Sequence, residues 1–234
     1  MNVLAIGAHP DDLELLCAGT LAKYVRAGHR VVMCHVANGN KGHATIPSDE
    51  LARMRRAEAQ RAAAVIGAES VTADSDDMRV LPDDEETQTR MVEIIRAAAP
   101  DLIITHWPQD YHTDHRATSK LVFDASFIAG LPAVKTAQPP LPKVPPIYYM
   151  DTLAGVGFVP TEYVDVSDVM QVKRDALLEH KSQADWLKGF NNIDTIDFID
   201  TVAKFRGLQC GAFFAEGFVP CSSWLRLVPH RLLP

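Results

Sequence analysis

An alternation constrains this chain more than anything else in it. Between Val3 and Gly130, short β-branched apolar runs take turns with longer stretches of helical periodicity. Val3-Leu4-Ala5-Ile6 reads as a strand, 13–27 as a helix ended by Gly28, and Arg30 to Val36 as a second strand. A charged amphipathic helix follows over 48–66, opened by Ser48 as the cap candidate after Pro47 and closed by Gly67. Ser70-Val71-Thr72 is a short third strand, 84–98 a helix ending before Pro100, Leu102 to Thr105 a strand, and 114–129 a helix up to Gly130. Small polar residues before a helix and glycine after it are start and stop signals with a physical basis in unpaired backbone groups. Strands separated by helices need crossover connections. The prediction is therefore an α/β, Rossmann-like fold: a mainly parallel sheet flanked by helices.

The texture then changes. Residues 132–146 hold six prolines, which predicts an extended loop or flap, since proline removes a backbone donor and blocks a helix interior. Ile147-Tyr148-Tyr149-Met150 and Tyr163-Val164-Asp165-Val166 read as late strands, with helical patterns near 168–184 and 195–206. The length of 234 residues suits one sizeable core, so a single domain over 1–234 is expected.

Composition narrows the partners. A formal net charge of -7 gives no broad field for nucleic acid or an anionic lipid surface, so neither is expected. No apolar run approaches the roughly 20 residues of a membrane helix. Met1-Asn2-Val3-Leu4 lacks the basic start and long apolar stretch of a signal peptide. Cys17, Cys34, Cys210 and Cys221 form no Cys-x-x-Cys pair, which argues against a cysteine zinc site or a disulfide framework. The expected setting is the cytoplasm.

In a parallel sheet, ligands bind beyond the carboxyl ends of the strands. The loop after the first strand is Gly7-Ala8-His9-Pro10-Asp11-Asp12. A nucleotide-binding fold would place a glycine-rich phosphate cradle here. Two adjacent acids repel phosphate and suit a metal cation instead. Taken alone, proline and aspartate at this position also suit an ordinary helix start. The loop after the Leu102–Thr105 strand tips the balance. His106-Trp107-Pro108-Gln109-Asp110-Tyr111-His112-Thr113-Asp114-His115 carries three histidines and two aspartates, and it opens at the same edge of the sheet. Two histidines and a carboxylate are a common catalytic zinc set with a position left for water. The spare acid and imidazole can then serve as base and oxyanion stabiliser. Spacing alone does not choose between His112 and His115 as a ligand.

These residues resemble the LmbE-like (PIG-L) zinc N-deacetylases. The resemblance rests on Ala8-His9-Pro10-Asp11-Asp12 with Gly19-Thr20-Leu21-Ala22 downstream, and on Asp110-x-His112-x-Asp114-His115. Weaker echoes are Asn38-Gly39-Asn40-Lys41-Gly42, Arg55-x-x-Glu58, His180-Lys181-Ser182-Gln183 and Ala215-Glu216-Gly217-Phe218. It implies His9, Asp12 and His115 as ligands of one Zn2+ (with Fe2+ as the other metal that suits such a set). It implies Asp11 as general base, His112 as oxyanion stabiliser, and Asp114 as the group that orients His112. It also implies a C-terminal extension that completes the cleft, removal of N-acetyl from an N-acetylglucosamine-type amino sugar, and a homo-oligomer, trimer or hexamer. Substrate-binding roles fall to Arg55, Glu58 and Lys41, against the plainer reading of a solvent-facing helix and lysine. Departures from the family pattern are Leu13-Glu14 after the aspartates, Leu16 and Ala18 where glycines are common, and Tyr111 before His112. The last speaks against a malate-bearing sugar. Two rivals are a sugar-binding protein that turns nothing over and a nucleotide-dependent enzyme. The acidic first loop argues against the second.

Overall fold

β1 (Asn2–Gly7) runs through the middle of a seven-stranded sheet ordered β3-β2-β1-β4-β5-β7-β6. The computed structural model describes residues 1–234, the Asn191 side chain excepted. The other strands are β2 (Arg30–Ala37), β3 (Glu69–Ser75), β4 (Leu102–Thr105), β5 (Ile147–Met150), β6 (Glu162–Asp165) and β7 (Ala215–Pro220). β1 pairs parallel with β2 and β4, β2 with β3, and β4 with β5. The mainly parallel sheet is the one the alternation predicts. β7 lies antiparallel between β5 and β6, and no expectation covered it. Its Ala215-Glu216-Gly217 start is too polar and too small to read as a strand.

Successive side chains of β1 point to opposite faces, and both faces are buried. Val3 and Ala5 join a core with Met33, Leu21, Ala62, Leu177 and Ile199, whereas Leu4 and Ile6 join one with Val32, Met91, Ile95, Leu121 and Val122. The first core is covered by α1 (Asp12–Leu16), α2 (Ala18–Arg26), α3 (Ser48–Ile66), α6 (Met170–Leu177) and α8 (Thr195–Cys210). The second is covered by α4 (Glu85–Ala98) and α5 (Thr113–Ile128). α7 (Lys181–Asn191) lies beside α3 and α8.

Most start and stop signals act as expected. α3 ends at Gly67 in the left-handed region, and the Asp84 side chain accepts from Thr87 N at the start of α4. Ser48, however, is the first residue of α3 rather than its cap; Pro47 holds that place. The expected helix over 13–27 breaks at Cys17, because a carboxylate from β7 reaches the chain there. Glu216 accepts Gly19 N (3.0 Å), Thr20 N (2.7 Å) and Thr20 Oγ1 (2.6 Å), which restarts the backbone as α2. A Cβ at Gly19 would lie 2.7 Å from Val166, so the approach requires glycine. The helical pattern near 168–184 is likewise two helices, α6 and α7.

The proline-rich segment is a loop without helix or strand. Its Leu141, Pro142 and Pro146 line an 850 Å³ groove with Met1, Asp101 and Leu227. Met1 and Asp101 precede β1 and β4, so the groove lies at the end of the sheet away from the two polar loops. Among the described residues, no helix is long and apolar enough to cross a membrane.

Candidate active site

The strand order reverses between β1 and β4, and the two polar loops leave the sheet at that crevice. Thr105 Oγ1 donates to Ile6 O (2.9 Å), and Ala8 N donates to His106 Nε2 (2.9 Å). These bonds stitch the strand ends together, so the side chains of both loops meet.

Asp12 is the buried centre. Its Oδ2 accepts His9 N at 2.6 Å and lies 3.4 Å from His9 Nδ1, while Oδ1 lies 3.3 Å from His115 Nε2. Each of these imidazoles turns its other nitrogen to a second carboxylate. His9 Nε2 meets Asp114 Oδ2 at 3.0 Å, and His115 Nδ1 lies 3.0 Å from Asp110 Oδ1. An imidazole backed by a carboxylate is oriented and made more basic towards a metal on its free side. Donor atoms lie within 4.8 Å of one another in two groupings, His9–His112–His115 and Asp12–His106–His115, and the set His9, Asp12 and His115 draws on both. The second includes His106, whose Nε2 lone pair already accepts the Ala8 N–H. A lone pair so used cannot also bind a cation. His106 is a support instead, stacked on His115 with centroids 4.0 Å apart and planes at 13°.

Protonation follows the geometry. Burial opposes charge on His9, but the Asp114 and Asp12 carboxylates outweigh it and raise His9 to about 10. Burial likewise opposes charge on His115, yet Asp12 and Asp110 raise it to about 9. Against its own burial, Asp12 is held well below the usual carboxylate range by His115, whose Nε2 faces its Oδ1. Burial pushes His106 down to about 4, so it is neutral. Protons thus sit on His9 Nδ1 and His115 Nε2, which face Asp12, the places where a cation would neutralise the same carboxylate.

Asp11 is different. Its φ of 111° puts a non-glycine residue in the left-handed region. Strain of this kind persists where the surroundings over-determine it. Arg55 supplies part of that: its Nη2 lies 3.3 Å from Asp11 Oδ1 and donates to Pro10 O, and its Nη1 donates to Gly39 O (3.3 Å). Burial, reinforced by the Asp12 charge and opposed by Arg55, raises Asp11 to about 6. A carboxylate near that value is suited to take and return a proton. His112 caps α5 by accepting Asp114 N at Nδ1 (3.2 Å). Burial and the charges of His9 and His115 hold its pKa below the ordinary value. The neutral tautomer then carries its proton on Nε2.

A cleft of 290 Å³ is lined by His9, Asp11, Asp12, His112 and His115, together with Lys41, Arg55, Tyr111 and Gln183. Among the expected substrate-binding residues, Lys41 and Arg55 reach it. Lys41 Nζ donates to Asp77 O (3.0 Å), and Arg55 serves mainly as the clamp on Asp11. Glu58 does not line it: both oxygens accept from Ser182, from N at 2.9 Å and Oγ at 2.6 Å. Asp114 also departs from its expected part. Its carboxylate takes His9 Nε2 and Met78 N (2.8 Å), and it meets His112 only through its backbone N–H. Trp107 packs edge-on against Tyr149 and Phe158, outside the cleft. His180 and Glu216 are buried and do not line it. Asp110 and Gln183 had no role assigned from sequence. Asp110 sits five residues before His115, a spacing that carries no fixed geometry in a loop. Gln183 belongs to the His180-Lys181-Ser182-Gln183 echo, its one signal.

Three likenesses fit this arrangement. The diacetylchitobiose deacetylase of Thermococcus kodakarensis is 31% identical over 234 residues, 94% of this chain and 83% of that protein. The solved N,N′-diacetylchitobiose deacetylase of Pyrococcus horikoshii superposes with a TM-score of 0.80 at 26% identity, over 94% of this chain and 83% of that one. The 4-carboxy-2-hydroxymuconate hydratase GalB of Pseudomonas putida KT2440 superposes with a TM-score of 0.82 at 21% identity, over 99% and 100%, which is a likeness of fold alone. Residues 4–126, which include both polar loops, match the family described as GlcNAc-PI de-N-acetylase, and the chain belongs to this PIG-L family.

Proposed function

We propose that the chain is a zinc-dependent hydrolase that removes the N-acetyl group from an N-acetylglucosamine-type amino sugar or its conjugate. One observation carries the reading. A strained, buried Asp11 raised to about 6 stands beside the two-imidazole, one-carboxylate set His9, Asp12 and His115 at the switch point of the sheet. The deacetylase relatives support the same chemistry.

His9, Asp12 and His115 would hold the metal. Asp110 and Asp114 would back the two imidazoles, and the donor set fits zinc, with iron(II) the other candidate. A divalent cation there would acidify a water and polarise the amide carbonyl. Asp11 takes the proton from the attacking water and returns it to the departing amine. The His112 Nε2–H hydrogen-bonds the oxygen of the tetrahedral adduct, in place of bulk water. Arg55 keeps the Asp11 carboxylate and the Pro10 carbonyl in register. Amide and water become acetate and a free amine. The same reading carries a cytoplasmic setting, a single domain over 1–234 and a trimer or hexamer.

Zinc-loaded protein incubated with N,N′-diacetylchitobiose should release acetate and primary amine in equal amounts. Binding of the sugar without either product would favour a sugar-binding protein instead. Inertness towards every N-acetyl amino sugar, with hydration of an unsaturated tricarboxylic acid, would point to the chemistry of the hydratase relative.

A further inference from the structure

Gln183, in the first turn of α7, lines the cleft beside Lys41, Arg55 and Tyr111. Its Oε1 is shielded from solvent and has no hydrogen-bond partner. A buried amide oxygen left unpaired is unfavourable, and native structures rarely tolerate one without a use. The Arg55 Nη atoms and Lys41 Nζ beside it are engaged, while Arg55 Nε, like Gln183 Oε1, has no partner. Arg55 holds Asp11, Pro10 O and Gly39 O, and Lys41 holds Asp77 O.

The surroundings hold Gln183 in place. Glu58 of α3 binds Ser182 N and Oγ, and His180 Nε2 lies 3.3 Å from Glu14 Oε1 of α1. The start of α7 is thus docked at two points on buried carboxylates. Facing it, the 38–42 loop is drawn in by Asp77, which accepts Gly39 N (2.8 Å) and Lys41 N (2.9 Å). A Cβ at Gly42 would lie 3.2 Å from Gln183 Oε1 and 2.8 Å from Arg55 Nη1, so a side chain there would crowd both. The primary amide offers a donor and an acceptor without charge. The unpaired Oε1 needs a donor, which an alcohol supplies and an ionised phosphate or carboxylate does not.

We propose that Gln183 is a specificity-determining residue that hydrogen-bonds a ring hydroxyl of the amino sugar while its acetamide lies at Asp11. The inference rests on the deacetylase reading above. It makes the enzyme a selector of hydroxylated rings over plain N-acetyl amines, because a site built to pair a hydroxyl rejects the analogue that lacks it.

The test compares wild type and Gln183→Met, a variant of similar length without the amide. The substrates are N-acetylglucosamine and its analogues lacking one ring hydroxyl at a time. Unfolding temperature and zinc content serve as folding controls. Wild type should lose about 5- to 30-fold in kcat/KM on one analogue. Gln183→Met should lose about as much on N-acetylglucosamine and nothing further on that analogue. Gln183→Asn, which keeps the amide on a shorter arm, should fall between the two. Equal kcat/KM on N-acetylglucosamine for wild type and a folded Gln183→Met would overturn the proposal and leave the deacetylase reading standing. So would losses that simply add for every hydroxyl. A wild type that releases acetate from no N-acetyl amino sugar would overturn both.

Discussion

Two buried carboxylates in this molecule are crowded by polar partners, and they have opposite characters. Glu216, under α2, accepts from Gly19 N, Thr20 N, Thr20 Oγ1 and Lys173 Nζ (2.6 Å), and Lys173 donates also to Leu15 O (3.0 Å). Each oxygen is paired and the ammonium is shared with a carbonyl. Around Asp12 three imidazoles crowd together. The His106 and His115 centroids are 4.0 Å apart and those of His9 and His115 5.5 Å. Neighbouring groups there are driven in opposite directions: Asp11 up to about 6, Asp12 far down, His9 up to about 10, His106 down to about 4. The Glu216 network is satisfied as it stands and fixes where α2 begins. The Asp12 cluster is held in an arrangement that its own groups do not relieve. Such opposition, gathered in a cleft, marks chemistry, whereas a closed network marks structure.

Breaking each side of the comparison should give different kinds of loss. The largest is expected for Asp11→Asn, which removes the proton acceptor and keeps the shape. It should lower kcat by about 10²–10⁴-fold while zinc content stays at the wild-type level. A variant with near-normal turnover would remove Asp11 from the mechanism. Next comes Glu216→Ala, which leaves Lys173 buried and unpaired. It should cost about 3–5 kcal/mol in chemical denaturation, with little change in kcat of the folded fraction. The double variant Lys173→Met/Glu216→Leu should lose less than the single one, since no lone charge remains. If instead Glu216→Ala folded normally and lost turnover, the distinction between the two networks would fail.

The smallest and most graded effect is on pH. With raised values of about 10 and about 9, His9 and His115 carry protons at neutral pH in the metal-free protein. A cation must displace them, so binding releases protons and affinity rises with pH until those values are passed. The expected slope in competition titrations with a chelator is up to about tenfold per pH unit for each proton released. A flat profile from about pH 6 to about pH 8 would mean that these nitrogens do not face the metal.

Local features were legible. The strand–helix alternation, the Gly67 stop and the convergence of two polar loops followed from patterns within a few residues of one another. What escaped depends on distant partners. The break at Cys17 is made by Glu216, 196 positions beyond Thr20, and no window around Cys17 contains that information. β7 is a strand because β5 and β6 flank it, despite its weak composition. Glu58 was expected in the cleft from the family resemblance, yet Ser182, 124 positions away, takes both its oxygens. Asp114 was expected on His112, two positions earlier; the fold carries its carboxylate across to His9. Side-chain type was thus readable, but the partner of each polar group was set by the tertiary fold.

The most direct test is zinc content per chain in wild type and Asp12→Ala, after stripping and re-equilibration. About one zinc in wild type and a clear loss in the variant is the predicted result. Correctly folded wild type with no tight zinc, or an Asp12→Ala protein that holds as much as wild type, would contradict the claim that Asp12 gathers His9 and His115 around a metal.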